Sequence, residues 1–255
     1  GKKAPLGAHF GAALSAVEIF ACLYDGIIQS PQKNDSADRN MLIVGKGHCV
    51  LAYFAALYEY GIIDEDMLEQ FEQDGSPLQG HPIMNESLGI EFSSGSLGMA
   101  LSQGAGVAMS RKLKGSSSHV FVLLGDGECQ EGAIWEAAMF ASQYKLDNLV
   151  VIVDRNHLQY DGNTEDVMSF GDFSYKWQSF GFTVVKVDGH SVFDLSSVLD
   201  KCMHNSTGKP VCIIADTVKG KGISFMENDK TWHNRRLTDD EYDMAKNELE
   251  DINGV

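Results

Sequence analysis

The chain has 255 residues, of which 44% are hydrophobic, and its formal net charge is −16 at pH 7. This length suits a single α/β domain, and no run of about 18 apolar residues is present that could span a membrane. The excess of negative charge argues against nucleic-acid binding, because it repels phosphate backbones.

The five cysteines are scattered along the chain and form no Cys-x-x-Cys pair. This usage argues against both a disulfide framework and a zinc site. No apolar signal-peptide core follows Gly1, so we expect a reduced, cytoplasmic protein. Because the chain does not begin with Met, we also expect residues to precede Gly1.

Short apolar runs of strand length alternate with helical stretches along the chain. The predicted strands are Met41–Val44, His119–Leu124, Leu149–Val153, Thr183–Val187 and Val211–Ala215. The predicted helices are Ala12–Ile28, Val50–Tyr60, Leu97–Leu113, Ala133–Tyr144, Val192–Met203 and Asp239–Leu249. The alternation predicts one doubly wound α/β domain over residues 1–255, with a mostly parallel sheet and helices on both faces. Within the third helix, Gly104 and Gly106 are expected to permit close helix packing.

In such sheets, ligands bind at the carboxyl ends of the strands, in the loops that lead into helices. The loop after the second predicted strand has the sequence GDGECQEG, residues 125–132. Its glycines permit a tight turn and close approach of a ligand, and the following helix start offers free amide donors to a diphosphate. Asp126 is suited to a hard divalent cation, although an ordinary Asp-Gly turn has the same sequence.

The loop after the third strand strengthens the metal interpretation. Asn156 lies 30 residues after Asp126, at the end of a strand that could neighbour the second one. Mg²⁺ prefers octahedral oxygen ligands and often combines a carboxylate with phosphate oxygens. Asp126, Asn156, a carbonyl near Leu158 and two diphosphate oxygens would nearly complete such a shell.

The motifs resemble transketolase, and more closely the short transketolases whose two halves are separate chains. The closest resemblance lies in residues 125–139 and 148–156. Five further motifs follow in the family's order: Gly7–Gly11, Gly45–His48, Gly80–Pro82, Gly95–Gly98 and Thr217–Gly222. The sequence departs from the family at Ala12, where some relatives have serine, and in residues 228–236, which follow the family's His-Gly-x-x-Pro ending only loosely.

The resemblance implies thiamine diphosphate and Mg²⁺ as cofactors, with Ca²⁺ or Mn²⁺ able to substitute for Mg²⁺. The metal would be held by Asp126, Asn156 and the carbonyl of Leu158. The backbone of Gly95, Ser96 and Leu97 would contact the aminopyrimidine ring. The diphosphate, or the channel leading to it, would be contacted by Lys46, His48, Gly127, Asn156, Lys219 and His233.

The resemblance also implies catalytic roles. His9, His81 and His233 would line the substrate channel, bind sugar hydroxyls and move protons, for which the pKa of histidine is suited. Glu131 would lie in a carboxylate network at a subunit interface. A lone loop histidine is more often solvated or capping than functional. His119 and His204 are interpreted as ordinary residues, and His190 is interpreted as serving a turn.

Full-length transketolases have a second domain that binds the aminopyrimidine ring and supplies most of the phosphate-binding arginines. We therefore expect the partner to be a C-terminal transketolase subunit, in a two-plus-two heterotetramer. The implied reaction transfers a two-carbon ketol unit from a ketose, usually phosphorylated, to an aldose. The alternatives are a 1-deoxyxylulose-5-phosphate synthase, a 2-oxo-acid dehydrogenase α subunit, or a non-catalytic regulatory subunit.

Overall fold

Within residues 4, 7–29 and 38–253, which the computed structural model describes, five parallel strands form one sheet in the order β1-β2-β3-β5-β4. The strands are β1 (Met41–Val44), β2 (Val120–Gly125), β3 (Leu149–Arg155), β4 (Thr183–Asp188) and β5 (Val211–Asp216). All five predicted strands form, with bounds that differ by at most two residues. The chain passes from β3 to the edge strand β4 and then returns to β5, so the direction of winding reverses there.

Helices cover both faces of the sheet, as the sequence predicts. They are α1 (Phe10–Leu14), α2 (Val17–Tyr24), α3 (Val50–Glu59), α4 (Glu65–Glu69), α5 (Ala100–Leu113), α6 (Gly132–Gln143), α7 (Thr164–Met168), α8 (Phe173–Ser179), α9 (Val192–Met203) and α10 (Asp239–Asn253). None of the helices in the described ranges is long and apolar enough to cross a membrane.

Successive strand residues point to opposite faces and so feed two separate cores. Phe121 and Leu123 of β2 pack with α2, α3 and α9, whereas Val120, Val122 and Leu124 pack with α5, α6 and α8. The strands β2 and β3 are therefore buried on both faces, which explains their continuous apolar sequences. A smaller cluster around Met226 and Trp232 lies near the C-terminal helix.

The prediction of one helix over Ala12–Ile28 is wrong, because the chain breaks between α1 and α2 at Ser15 and Ala16. The buried Ser15 hydroxyl lies 3.1 Å from the Ala12 carbonyl and donates to the Asp154 carboxylate at 2.6 Å. This distant contact turns the chain where the local pattern favours a continuous helix. The helix predicted from Leu97 begins instead at Ala100, after Gly98 adopts a φ of +87°.

The prediction of close packing is confirmed for Gly104 and is wrong for Gly106. A Cβ atom at Gly104 would lie 2.4 Å from Cγ2 of Val122 on β2, whereas one at Gly106 would meet nothing within 4 Å. Gly104 therefore sets the distance between α5 and the sheet, and Gly106 faces solvent.

We predict opposite effects of alanine at these two helical positions. Gly104→Ala should lower the free energy of unfolding by about 1–3 kcal/mol, because the methyl group overpacks against Val122. Gly106→Ala, the matched control, should raise it by about 0.5–1 kcal/mol through helix propensity alone. Urea unfolding of both variants measures the difference; equal shifts would contradict the packing role of Gly104.

Candidate functional site

A cavity of about 480 Å³ opens where the loops after β1, β2, β3 and β5 meet. This is the edge at which ligands bind in parallel sheets. Every residue predicted for the site lines this cavity except Ser96, which borders a neighbouring cleft of about 280 Å³. The lining residues are His9, Lys46, His48, His81, Gly95, Leu97, Gly125, Asp126, Gly127, Glu128, Gln130, Glu131, Asn156, Leu158, Gln159, Tyr160, Met168, Lys219 and His233.

Asp126 is buried at the end of β2, and hydrogen bonds fix its carboxylate. One oxygen accepts from the Gly127 N–H at 2.8 Å, and the other accepts from the His157 N–H at 2.8 Å and the Thr164 hydroxyl at 3.1 Å. Burial and the nearby Asp154 carboxylate nevertheless raise the pKa of Asp126. A divalent cation at this position would counter both effects, because its charge favours the ionised carboxylate.

The Asn156 side chain is oriented by its own hydrogen bonds. Its amide nitrogen donates to Ser15 Oγ at 3.3 Å and to Asp154 at 3.4 Å. Its Oδ1 atom accepts the Leu158 N–H at 3.2 Å and is left as the atom available to a cation. The amide is thus held in the orientation that a metal ligand requires.

A buried network of charged and hydroxyl groups lies behind Asn156. Asp154 has no exposed surface, and its carboxylate accepts hydrogen bonds from Lys46, Ser15 and Thr217. The Lys46 ammonium also donates to the Ala12 carbonyl at 3.0 Å. Burial opposes both charges, but their mutual attraction outweighs it, so the pKa of Asp154 is lowered and that of Lys46 is raised. The Lys46 charge, predicted to lie against the diphosphate, is therefore paired with Asp154.

Lys219 connects the loop after β3 to the histidines. Its Nζ atom donates to the Leu158 carbonyl at 3.0 Å and lies 3.0 Å from Nδ1 of His233. A carbonyl oxygen has two lone pairs, so metal ligation by Leu158 remains compatible with this bond. Burial and the positive charge of Lys46 lower the pKa of Lys219 to about 8.

The four predicted histidines come together in the cavity. The ring centre of His9 lies 5.4 Å from that of His48, 5.7 Å from that of His81 and 5.4 Å from that of His233. The rings of His48 and His233 stack with centres 5.1 Å apart. Four histidines that are far apart in sequence therefore form one surface next to the metal loop.

Burial keeps three of these imidazoles neutral. Burial, with smaller contributions from nearby cationic side chains, lowers the pKa of His9 to about 4 and that of His233 to about 3. The pKa of His48 is also well below its ordinary value, chiefly through burial. Since the Lys219 ammonium donates to Nδ1 of His233, the proton of that neutral ring lies on Nε2.

The Gly95–Gly98 loop contributes Gly95 and Leu97 to the cavity wall. Gly95, at φ +135°, packs so closely on His81 that a Cβ atom would lie 3.0 Å from its ring. Glu128 accepts the Gly98 N–H at 3.0 Å and the Gly125 N–H at 3.1 Å, and burial raises the pKa of its carboxyl to about 7. Glu131 lines the cavity and is exposed to solvent.

The donor set at the cavity fits a hard cation bound together with phosphate. In the described part of the chain no three His, Cys, Asp or Glu residues are grouped so as to hold a metal. The carboxylate of Asp126, the amide oxygen of Asn156 and the carbonyl of Leu158 are instead an all-oxygen set that leaves ligand positions for a diphosphate.

Sequence reasoning missed the residues that support the site. It gave no role to Asp154, Ser15 or Thr217, although an acidic residue after the apolar run Leu149–Val153 is a detectable signal for a buried ion pair. It also gave no role to Glu128. His190 was expected to serve a turn, and it lies in one, where its N–H donates to the Asp188 carboxylate at 2.9 Å. Its ring also accepts the Val218 N–H, 28 residues away, at 2.8 Å.

A family model, curated relatives and a solved structure that resemble this chain all belong to transketolases. Residues 2–250 match the family described as "Transketolase, thiamine diphosphate binding domain". An apulose-4-phosphate transketolase subunit of Actinobacillus succinogenes is 40% identical over 97% of this chain and 89% of its own length. The 6-deoxy-6-sulfo-D-fructose transketolase subunit SqwG of Clostridium sp. is 35% identical over 95% of this chain and 88% of its own. A transketolase structure from Pichia stipitis has the same fold, with a TM-score of 0.87 and 24% identity over 95% of this chain and 37% of that one.

We predict that the buried ion pair behaves as a coupled unit. Asp154→Asn should lower the free energy of unfolding by about 3–5 kcal/mol, because it leaves the Lys46 charge buried without a partner. In the double variant Lys46→Met/Asp154→Asn no uncompensated charge remains. Its loss of unfolding free energy should therefore be clearly smaller than the sum of the losses in the single variants Lys46→Met and Asp154→Asn. Additive losses in a urea-unfolding double-mutant cycle would show that the pair is not coupled.

Proposed function

Because the chain belongs to the family of transketolase thiamine diphosphate-binding domains, we propose that it is the diphosphate-binding subunit of a two-chain transketolase. In this proposal the assembled enzyme transfers a two-carbon ketol unit from a ketose to an aldose. The observation that carries the proposal is the convergence of four histidines on the cavity that also contains Asp126, Asn156 and Leu158.

Thiamine diphosphate, when bound, supplies the carbanion chemistry by which a carbon–carbon bond is broken and formed. Asp126, Asn156 and the Leu158 carbonyl would hold Mg²⁺, or Ca²⁺ or Mn²⁺ in its place. Gly127 would allow the diphosphate to approach the backbone, and the Lys219 ammonium lies at the same end of the cavity. The loop Gly95–Leu97 would contact the aminopyrimidine ring.

The histidines suit a substrate that is rich in hydroxyl groups. His9 and His233, with pKa values of about 4 and 3, are neutral at pH 7 and can each donate and accept a hydrogen bond. His233 would present its Nε2–H to the channel, because Lys219 occupies Nδ1. Their lowered pKa values make these two imidazoles weak bases at pH 7, so their main proposed role is to bind and orient the sugar hydroxyls.

Features of the described surface support a partner subunit. Leu97, Glu131 and Tyr160 line the cavity and yet are exposed, so a second chain could cover this side. On α6 and just beyond it, the exposed residues Met139, Phe140 and Tyr144 form an apolar face of the kind found in permanent interfaces. The similar proteins of Actinobacillus and Clostridium are named as subunits, and we propose a C-terminal transketolase subunit in a two-plus-two assembly.

The substrates are proposed as a class, sugars or sugar phosphates. Two similar proteins are named for different sugars, apulose 4-phosphate and 6-deoxy-6-sulfo-D-fructose. Of the cationic side chains that line the cavity, Lys46 is already paired with Asp154, and Lys219 lies at the proposed diphosphate end, where it donates to the Leu158 carbonyl. Selection of the sugar's anionic group would therefore depend on the partner. A cytoplasmic location is proposed because all five cysteines are buried and free.

Family membership favours transketolase over a 1-deoxyxylulose-5-phosphate synthase or a 2-oxo-acid dehydrogenase α subunit. Release of CO₂ from pyruvate by the assembled enzyme would point to those alternatives. A non-catalytic regulatory subunit is disfavoured because all the residues proposed to bind the metal and line the channel are present. Mixing the chain with a C-terminal subunit, as described next, tests this alternative directly.

We predict that activity requires two chains. The purified chain should give no ketol transfer, and it should become active when mixed with the C-terminal transketolase subunit from the same genome, thiamine diphosphate and Mg²⁺. Mass spectrometry of products from a panel of ketose phosphates and aldoses measures turnover, and light scattering measures the assembly. Full activity of the single chain would overturn the split-enzyme proposal, and inactivity of the assembled pair on every donor would support the regulatory alternative.

We predict that Asp126 supports cofactor binding through the metal. In the assembled enzyme, Asp126→Asn should weaken Mg²⁺-dependent binding of thiamine diphosphate. Residues that only hydrogen-bond to a metal ligand typically cost about 10- to 100-fold in affinity when they are changed, and the loss for a direct ligand should be larger. Asp161→Asn makes the same change of charge at an exposed position nearby and should bind normally. Calorimetry measures both affinities, and undiminished binding by Asp126→Asn would exclude it as a metal ligand.

A further inference from the structure

Glu128 lies between two parts of the cleft that are distant in sequence. Its side chain is only 3% exposed, and it lines the cavity beside Gly125. One carboxylate oxygen accepts the Gly98 N–H at 3.0 Å, and the other accepts the Gly125 N–H at 3.1 Å. A single side chain thus joins the Gly95–Gly98 loop to the end of β2.

The backbone around Glu128 leaves little room for other arrangements. A Cβ atom on Gly45, after β1, would lie 2.7 Å from the Glu128 carboxylate. A Cβ atom on Gly98, which has a φ of +87°, would lie 2.7 Å from Cβ of Glu131. Glycine at these positions lets the carboxylate reach both N–H groups while Glu131 packs directly against the loop.

The two hydrogen bonds have different structural importance. Gly125 is also held by the sheet, since it pairs with Asp154 of β3, and the Asp126 N–H donates to the Asp154 carbonyl at 3.2 Å. The Gly95–Gly98 loop belongs to no strand; it is attached at its start by the Ser94 N–H, which donates to the Pro82 carbonyl at 3.0 Å. Its end is attached through Glu128, so loss of this side chain should displace the loop much more than Gly125.

A carboxylate is the group that suits this position. Each of its two oxygens accepts a hydrogen bond from a different N–H, one from Gly98 and one from Gly125. A glutamine of the same shape has one accepting oxygen, and its NH₂ group would face the other N–H donor.

We propose that Glu128 is a positioning residue for the cofactor's ring: it attaches the Gly95–Gly98 loop to the Gly125 end of β2 and so fixes the distance between the ring-binding and diphosphate-binding parts of the cleft. This inference rests on the proposed function, because that function assigns the ring to Gly95–Leu97. Glu128 contacts neither substrate nor cofactor in this role. It acts through the loop.

The test compares two ligands that share the diphosphate and differ in the ring. In the assembled enzyme with Mg²⁺, Glu128→Gln should weaken thiamine diphosphate binding by about 10- to 100-fold, because one buried N–H donor loses its acceptor. Inorganic pyrophosphate, measured by displacement of thiamine diphosphate, should lose less than about threefold, since the sheet still holds Gly125. With saturating cofactor, kcat should recover towards the wild-type value.

Glu65→Gln serves as the matched control, because it makes the same change of charge on exposed α4 and should bind both ligands normally. Glu128→Asp keeps the charge but is too short to reach both N–H groups, so it should give an intermediate, ring-selective loss. If Glu128→Gln does not fold, as judged by circular dichroism, Glu128→Asp decides the question.

Equal losses for both ligands, or no loss for either, would overturn the positioning role. The proposed function is tested separately by the wild-type enzyme. If the wild type binds thiamine diphosphate and transfers ketol units, a failure of the ring-selective pattern counts against Glu128 alone.

Discussion

The buried ion pair between Lys46 and Asp154 is the interaction on which the rest of the site depends. It joins the ends of β1 and β3, and hydroxyl groups from Ser15 and Thr217 extend it to the first helices and to the end of β5. Burying two opposite charges is costly unless their remaining hydrogen-bonding groups are satisfied, and here they are. Such a pair contributes less to net stability than to specificity, because it permits one arrangement of four chain segments. Asn156 is oriented as a consequence of that arrangement.

The same pair determines the electrostatics of the cavity. Asp154 pairs with Lys46, and burial together with the Lys46 charge lowers the pKa of the neighbouring Lys219 to about 8. The histidines face this partly charged lysine from a poorly solvated surface, and their pKa values fall accordingly. The cleft therefore has a wall of neutral, hydrogen-bonding imidazoles and an oxygen-rich end at Asp126 and Asn156, which the proposed function assigns to hydroxyl groups and to a metal with diphosphate. This division follows from burial and pairing, since the net charge of −16 alone would suggest a strongly acidic site.

The sequence predicts the strands and the site residues to different extents and for different reasons. Runs such as Leu149–Val153 are buried on both faces, so their local composition is sufficient to identify them. The break at Ser15 could not be predicted from local pattern, because its cause is Asp154, 139 residues away. The gathering of His9, His48, His81 and His233 was predicted from resemblance, since no spacing rule connects four loops. The supporting residues Asp154 and Glu128 were missed because their burial is decided by tertiary contacts, and charged residues are normally exposed.

The two ends of the cleft, one at Asp126 and Asn156 and the other at the Gly95–Gly98 loop, are held in place in different ways. The metal end is built on strand termini, where β2, β3 and β5 hold their neighbours in register, so Asp126 and Asn156 are positioned by the most rigid part of the fold. The Gly95–Gly98 loop has no such support from the sheet and depends on side chains, chiefly Glu128 and the packing of Gly95 on His81. In the proposed function, placement by the sheet would suit the diphosphate, and the ring would lie against the Gly95–Gly98 loop beside the exposed residues Leu97 and Tyr160. Because Glu128 attaches that loop to the end of β2, the position of the ring would be set relative to the same sheet, on the side that a second chain would cover.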